Sequence, residues 1–172
     1  PARFIDIGIA EGHAAAMAAG MAKQGALPVF AVYSSFLQRA YDMLIHDVSL
    51  QKLHVVFAVD RAGLVGNDGE THHGVFDVSY LSSVPGMTIM CPASFQELHD
   101  MLEAALFCES GPVAVRYPRG GEGEYRTSHV ECETVLREGS DVTVVCYGTM
   151  VNNALECARI LEKRGVSAEV IK

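Results

Sequence analysis

Nowhere in this chain does an apolar run approach the ~18 residues that a membrane-spanning helix needs, and no signal peptide is visible. Basic residues are the minority: 13 Lys and Arg against 21 Asp and Glu leave a formal charge of −8. That balance argues against a nucleic-acid or anionic-membrane surface, while leaving room for a local basic pocket that binds phosphate. The five cysteines (Cys91, Cys108, Cys132, Cys146 and Cys157) are odd in number and show no CxxC spacing. They read as reduced thiols of a cytoplasmic protein, with no zinc site expected. Internal repeats and low-complexity segments are also lacking.

What is present is an ordinary globular composition, 49% hydrophobic and 20% charged over 172 residues, enough to bury a real core. Strand-like and helix-like stretches alternate. FIDIG reads as a buried strand, and IAEGHAAAMAAGMAKQG as a helix with a closing glycine. PVFAVY is a strand, followed by a helix over SSFLQRAYDMLIHDVSLQ in which Leu37, Tyr41, Leu44, Ile45 and Val48 recur at helical spacing and Ser34 or Ser35 can cap the start. HVVFAV, MTIMC and PVAVRY complete the strands, with a helix over SFQELHDMLEAALFCESG capped by Ser94. Continuous apolar strands alternating with helices predict an α/β fold with a parallel sheet covered on both faces.

The composition shifts after Tyr117, where PRGGEGEYRTSHVECE is polar and glycine-rich. The expected organisation is a first domain over 1–117, a linker over 118–130, and a partial second α/β domain over 131–172. That second part reads as one βαβ unit, too little to close its own sheet. The chain is therefore expected to be a fragment of a longer polypeptide.

Three clusters carry chemistry. Glu11 sits where the first strand hands over to its helix, among Ile9, Ala10 and Ala14. As a first-turn acid it favours the helix dipole. As a carboxyl in apolar surroundings it can share or donate a proton to a ring nitrogen. In YSSFLQRAYD, Phe36 and Arg39 lie three apart on one helix face. Either Phe36 is core and Arg39 pairs with Asp42, or the group forms an aromatic wall for a heterocycle with Arg39 and Tyr33 as polar fixtures.

The third cluster is the polar stretch DRAGLVGNDGETHHGVFD, Asp60 to Asp77, which follows a strand. Loops of this length in compact domains are usually functional or disordered, and open α/β sheets place ligands at strand carboxyl ends. Arg61, Asp68, His72 and His73 stand out. Adjacent histidines point apart and suit one metal poorly, whereas a histidine beside a carboxylate suits proton handling. Arg119, in YPRGG, can stand alone at the surface or bracket a phosphate with Arg61.

RFIDIGIAEGHAAAMAAGMA, FAVYSSFLQRAYDMLIHDV, VVFAVDRAGLVGNDGETHHGVFDVSYL and GPVAVRYPRG resemble the 1-deoxy-D-xylulose-5-phosphate synthases, thiamine diphosphate enzymes of the transketolase group. The resemblance covers nearly the whole chain and implies a pyrimidine-binding domain running into the start of a carboxyl-terminal domain. It departs at Gly12, where the family usually reads glutamine. It implies that Glu11 bonds the aminopyrimidine, with Phe36 stacked on that ring and Arg39 close by. It further implies that Tyr33, Arg61 and Arg119 hold the acceptor's phosphate, and that Asp68 and His72 orient the acceptor and move protons. The implied reaction condenses pyruvate with glyceraldehyde 3-phosphate to 1-deoxy-D-xylulose 5-phosphate and carbon dioxide, in a cytoplasmic homodimer.

The GDG…N motif through which the family binds the diphosphate and its magnesium is missing from the sequence. The fragment alone is therefore expected to bind the cofactor weakly and to be inactive, with both sites in an absent amino-terminal domain and no metal site here. The alternative is a non-catalytic or split-subunit chain that needs a partner bearing the diphosphate domain. With so few partners, the Asp60–Asp77 loop is expected to have little holding it.

Overall fold

The computed structural model describes residues 3–127 and 134–172. Cys132 and the expected boundary between 130 and 131 lie outside the described residues. The chain divides into two compact units, one of residues 1–90 and 103–119, the other of residues 91–102 and 120–172.

The first unit is built on a four-stranded, wholly parallel sheet in the order β1-β2-β4-β3. Its strands are β1 (Val29–Tyr33), β2 (Val56–Asp60), β3 (Thr88–Met90) and β4 (Val113–Arg116). Val56, Phe57, Ala58 and Val59 of central β2 are all buried, while edge strand β1 alternates exposed and buried residues. Continuous burial is what a parallel strand covered on both faces requires. Helix α1 (Glu11–Lys23) buries Ala14, Ala15, Ala18 and Ala19, and these small side chains let its backbone approach the core closely.

After β1 the chain turns directly into helix. Ser34–Leu37 (α2) is α-helical, Gln38–Ala40 is 3-10, Tyr41–Met43 (α3) is α-helical and Leu44–Ser49 is π-helical. Leu37, Leu44 and Val48 are fully buried, as their spacing predicts, although Tyr41 is exposed. The expected serine cap does not form: Tyr33 is the N-cap residue and no side chain caps the helix. The Ser34 and Ser35 hydroxyls are instead buried with no hydrogen-bond partner.

FIDIG is not a strand. Among the described residues no segment pairs with it, and Phe4 and Ile5 are 74% and 53% exposed. An apolar run makes a strand only when a neighbour takes up its backbone hydrogen bonds.

The second unit holds a three-stranded sheet, β5-β7-β6, made of Val135–Arg137 (β5), Val142–Val145 (β6) and Ala168–Ile171 (β7). The βαβ unit β6–α6–β7, with α6 spanning Met150–Glu162, is the expected one. Strand β5 was not expected, and it adds an antiparallel partner to β7. The residues 120–127, read as linker, belong to this compact unit: Tyr125 N–H donates to Asn152 Oδ1 at 2.9 Å. Helices α4 (Asp77–Leu81) and α5 (Phe95–Phe107) complete the chain. Ser94 Oγ accepts from Glu97 N–H at 3.2 Å, making Ser94 the cap of α5. Among the described residues, Cys91, Cys108, Cys146 and Cys157 form no disulfide with one another. Among the described residues, no helix is long and apolar enough to cross a membrane.

Candidate active site

Glu11 opens helix α1 and is 8% exposed. Its surroundings are not purely apolar: Arg39 Nη1 donates to Oε1 at 2.9 Å. The pairing of Arg39 with Asp42 does not occur, because Asp42 faces His46 one helical turn on, with Oδ1 2.9 Å from Nδ1. Arg39 instead reaches across to α1, and its guanidinium carbon lies 4.9 Å from the centre of the Phe36 ring. Phe36, three residues earlier, therefore shares its face with Arg39 as the spacing predicts.

The aromatic group continues from there. Tyr33 and Phe36 stack with ring centres 5.6 Å apart, and His72 meets Phe36 edge-on at 5.1 Å and Tyr33 at 6.2 Å. The Arg61 guanidinium lies 4.2 Å from the Tyr33 ring centre. Its Nε donates to Asp68 Oδ2 at 3.3 Å, and Asp68 Oδ1 accepts from Arg119 Nη1.

The eight residues to which the family resemblance assigns roles thus join in one continuous series within the first unit: Glu11, Arg39, Phe36, Tyr33, His72, Arg61, Asp68 and Arg119. They come from the start of α1, the end of β1 with its following turn, the loop after β2, and the segment after β4. The last three lie at the carboxyl ends of parallel strands, where α/β sheets gather their ligand-binding groups.

The loop is far better held than its polarity suggests. It folds into two 3-10 turns, Gly66–Asp68 and Glu70–His72. Gly63 and Gly74 exchange two backbone hydrogen bonds of 2.8 Å, which closes its base. His73 turns away from its neighbour: its Nδ1 accepts from Val65 N–H at 3.1 Å, while His72 Nδ1 faces Thr71 Oγ1 at 2.9 Å. The two rings serve different ends, and among the described residues no group of three or more His, Cys, Asp or Glu is arranged to hold a metal ion.

Three contributors were not singled out from sequence. Asp60 pairs with the Arg61 guanidinium and accepts the Arg61 N–H at 2.6 Å. Burial opposes the Arg61 charge, but the hydrogen bond and attraction of Asp60, then the attraction of Tyr33 and the hydrogen bond of Asp68, outweigh it and hold that guanidinium above its ordinary value. Arg61 also has φ +59, a left-handed conformation that costs a non-glycine residue energy and that recurs at functional sites. The other two contributors are Asp77 and Arg116, a buried pair that pins the end of the loop. The adjacent DR dipeptide hints at the first pairing; no local pattern signals the pair separated by 39 residues.

Residues 1–122 match the family described as transketolase, pyrimidine binding domain, and residues 133–172 match transketolase, C-terminal domain. Curated relatives named 1-deoxy-D-xylulose-5-phosphate synthase include those of Chlorobium luteolum, 55% identical over 99% of this chain, and Chlorobaculum tepidum, 58% identical over 96%. The chain spans only 28% and 27% of those proteins. Among solved structures, a split gene transketolase described as an inactive beta4 tetramer superposes with a TM-score of 0.88 at 32% identity, over 99% of this chain and 57% of its own. A transketolase from Pichia stipitis shares the fold, with a TM-score of 0.75 at 18% identity over 83% of this chain and 22% of its own. The chain belongs to the transketolase family, as a pyrimidine-binding domain followed by the C-terminal domain.

Proposed function

We propose that this chain is the pyrimidine-binding part of a 1-deoxy-D-xylulose-5-phosphate synthase, a thiamine diphosphate-dependent transferase that joins pyruvate to glyceraldehyde 3-phosphate with loss of carbon dioxide. The observation that carries the proposal is the unbroken series from Glu11 to Arg119, which couples a buried acid beside an aromatic face to a pair of arginines.

The residues suit the pyrimidine end of the cofactor. Glu11 engages Arg39 through Oε1 and has no hydrogen-bond partner at Oε2 among the described residues, so an acceptor remains for a ring nitrogen. Phe36 offers an aromatic surface for the ring to stack on, and Arg39 fixes the Glu11 carboxylate. Thiamine diphosphate supplies, when bound, the nucleophilic carbon that carries pyruvate's two-carbon unit. Glu11 sets the protonation of the pyrimidine, and Arg61 and Arg119 bind the acceptor's phosphate with the Tyr33 hydroxyl beside them. His72, packed on Phe36, handles the proton at the acceptor carbonyl, and Asp68 orients that acceptor. Magnesium and the diphosphate are assigned to a domain outside these residues, and the working enzyme to a cytoplasmic homodimer.

A second reading has its own support. The split gene transketolase that this chain superposes on is described as inactive in its beta4 assembly. A chain of this kind can be a half-enzyme that gains activity from a partner bearing the diphosphate domain.

One experiment addresses both. This chain replaces the matching segment of the Chlorobium luteolum relative, and carbon dioxide release from pyruvate is followed with and without glyceraldehyde 3-phosphate. The chimera is expected to be active and acceptor-dependent, and Glu11→Ala to lower its kcat by at least about a hundredfold. The 172-residue chain alone is expected to show neither turnover nor micromolar, magnesium-dependent cofactor binding by calorimetry. An inactive chimera that still folds, or an active one indifferent to Glu11, overturns the assignment.

A further inference from the structure

Asp68 stands between the two guanidiniums assigned to the acceptor's phosphate. One carboxylate oxygen accepts from Arg61 at 3.3 Å and the other from Arg119. A phosphate monoester uses a pair of arginines in the same way, one oxygen to each. We propose that Asp68 is an internal stand-in for that phosphate: it occupies Arg61 and Arg119 when no external oxyanion is present and must release them before one can bind. The inference rests on the phosphate-binding role proposed for the two arginines.

The surroundings suit displacement better than permanence. All three side chains keep contact with water, at 21% exposure for Asp68, 23% for Arg61 and 45% for Arg119. Ion pairs with that access are weak, whereas a phosphate monoester brings nearly two charges to the same donors. Arg61 keeps its second carboxylate, Asp60, in either state. Asp68 itself ends a one-turn 3-10 segment, and Gly69 follows at φ +81, a conformation that leaves the backbone free to turn there.

The arrangement has a consequence for specificity. A neutral carbonyl compound has nothing with which to displace Asp68, so the two arginines stay occupied. A phosphorylated aldehyde exchanges one anion for another. Asp68 thereby lowers the affinity for the phosphorylated acceptor and narrows its advantage over a neutral one, because only a ligand that brings an oxyanion has to displace it.

The test titrates inorganic phosphate into the 172-residue chain at fixed ionic strength and follows the amide chemical shifts of residues 60–77. Asp68→Asn is expected to tighten phosphate binding by about tenfold, the combined worth of two partly exposed ion pairs. Glu70→Gln, which removes an equal charge from the next turn, is expected to change it less than about twofold. Arg119→Gln is expected to abolish it. Asp68→Ser must reproduce the tightening, and it decides the matter if circular dichroism shows the asparagine variant unfolded. If neither Asp68 variant binds phosphate more tightly while Arg119→Gln still abolishes binding, the stand-in is wrong and the phosphate site survives. If phosphate binds no variant, or binds regardless of Arg119, both ideas fail.

Discussion

Arg116 grips Asp77 through two nitrogens, Nε at 2.9 Å and Nη2 at 3.2 Å, with the carboxylate 1% exposed. The pair joins the last residue of β4 to the last residue of the 60–77 loop. Asp77 also begins helix α4, where its Oδ1 accepts the Val78 N–H at 2.8 Å.

Removing one member of such a pair takes the bidentate partner from a largely buried charge, the kind of change that costs most in ion-pair mutagenesis. Asp77→Ala is expected to destabilise the chain by about 3–5 kcal/mol, read from urea denaturation. Asp77→Asn retains an acceptor oxygen and is expected to cost less. If Asp77→Ala lowered stability by under about 1 kcal/mol, the pair would have no anchoring role.

Gly74 is the tightest point of the loop. A Cβ there would lie 2.3 Å from the Arg61 carbonyl oxygen and 2.4 Å from Ser34 Oγ, so backbone has to move to admit it. Gly74→Ala is expected to cost about 1–3 kcal/mol, the usual range for overpacking. It is also expected to separate the Gly63–Gly74 hydrogen bonds, which amide exchange at those two residues measures directly. Unchanged protection at both amides would mean that the loop base does not depend on this close approach.

How much of this was legible in the sequence follows from how far each signal reaches. Phe36 and Arg39 share a face because a helix places i and i+3 together, and the reasoning needed only four residues. Leu37, Leu44 and Val48 lie buried for the same reason. FIDIG failed because its strand character depended on a neighbour that no local pattern reveals. Strand β5, three residues long, is too short to register a period of two. The Glu11–Arg39 and Asp68–Arg119 contacts span 28 and 51 residues, and only the chemical kinds of the residues, together with the family resemblance, suggested that they belong together. Glu97 went unnoticed beyond its place in a first helical turn. It is completely buried, and it accepts from Ala93 N–H at 2.8 Å, from the Tyr125 hydroxyl at 3.1 Å and from Lys172 Nζ, tying three separate segments of the second unit.

Gly12 lies in the first turn of α1, beside Glu11, and its φ is not in the left-handed region. Glycine there costs the helix up to about 1 kcal/mol relative to alanine. An added Cβ would meet Met43 Cε at 3.1 Å, the far end of a flexible side chain that can yield by a few tenths of an ångström. Gly12→Ala is therefore expected to stabilise the chain, by less than about 1 kcal/mol, and to raise its melting temperature. A lower melting temperature would show that Met43 cannot give way.

Tyr80 ties α4 to the helical segment after β1, since its hydroxyl donates to the Ser34 carbonyl at 3.0 Å while its ring packs edge-on against Tyr41. Burial, then the charge of Asp77, push its phenol well above the ordinary value of 10.0, and Arg116 only partly offsets them. Tyr117 and Tyr125 shift upward too, again chiefly through burial. Below about pH 10 the folded and unfolded states both keep these protons, so the full stability is present. Above it the unfolded chain releases them and the folded chain does not, so stability falls as pH rises. Each retained proton contributes at most about 1.4 kcal/mol per pH unit to that fall. At neutral pH, Tyr80→Phe is expected to cost about 1 kcal/mol for the lost hydrogen bond. Because the variant has one fewer phenol to hold neutral, the two stability curves should converge between about pH 10 and pH 11. Urea midpoints that stay parallel across that range would show that Tyr80 keeps no proton the unfolded chain has lost.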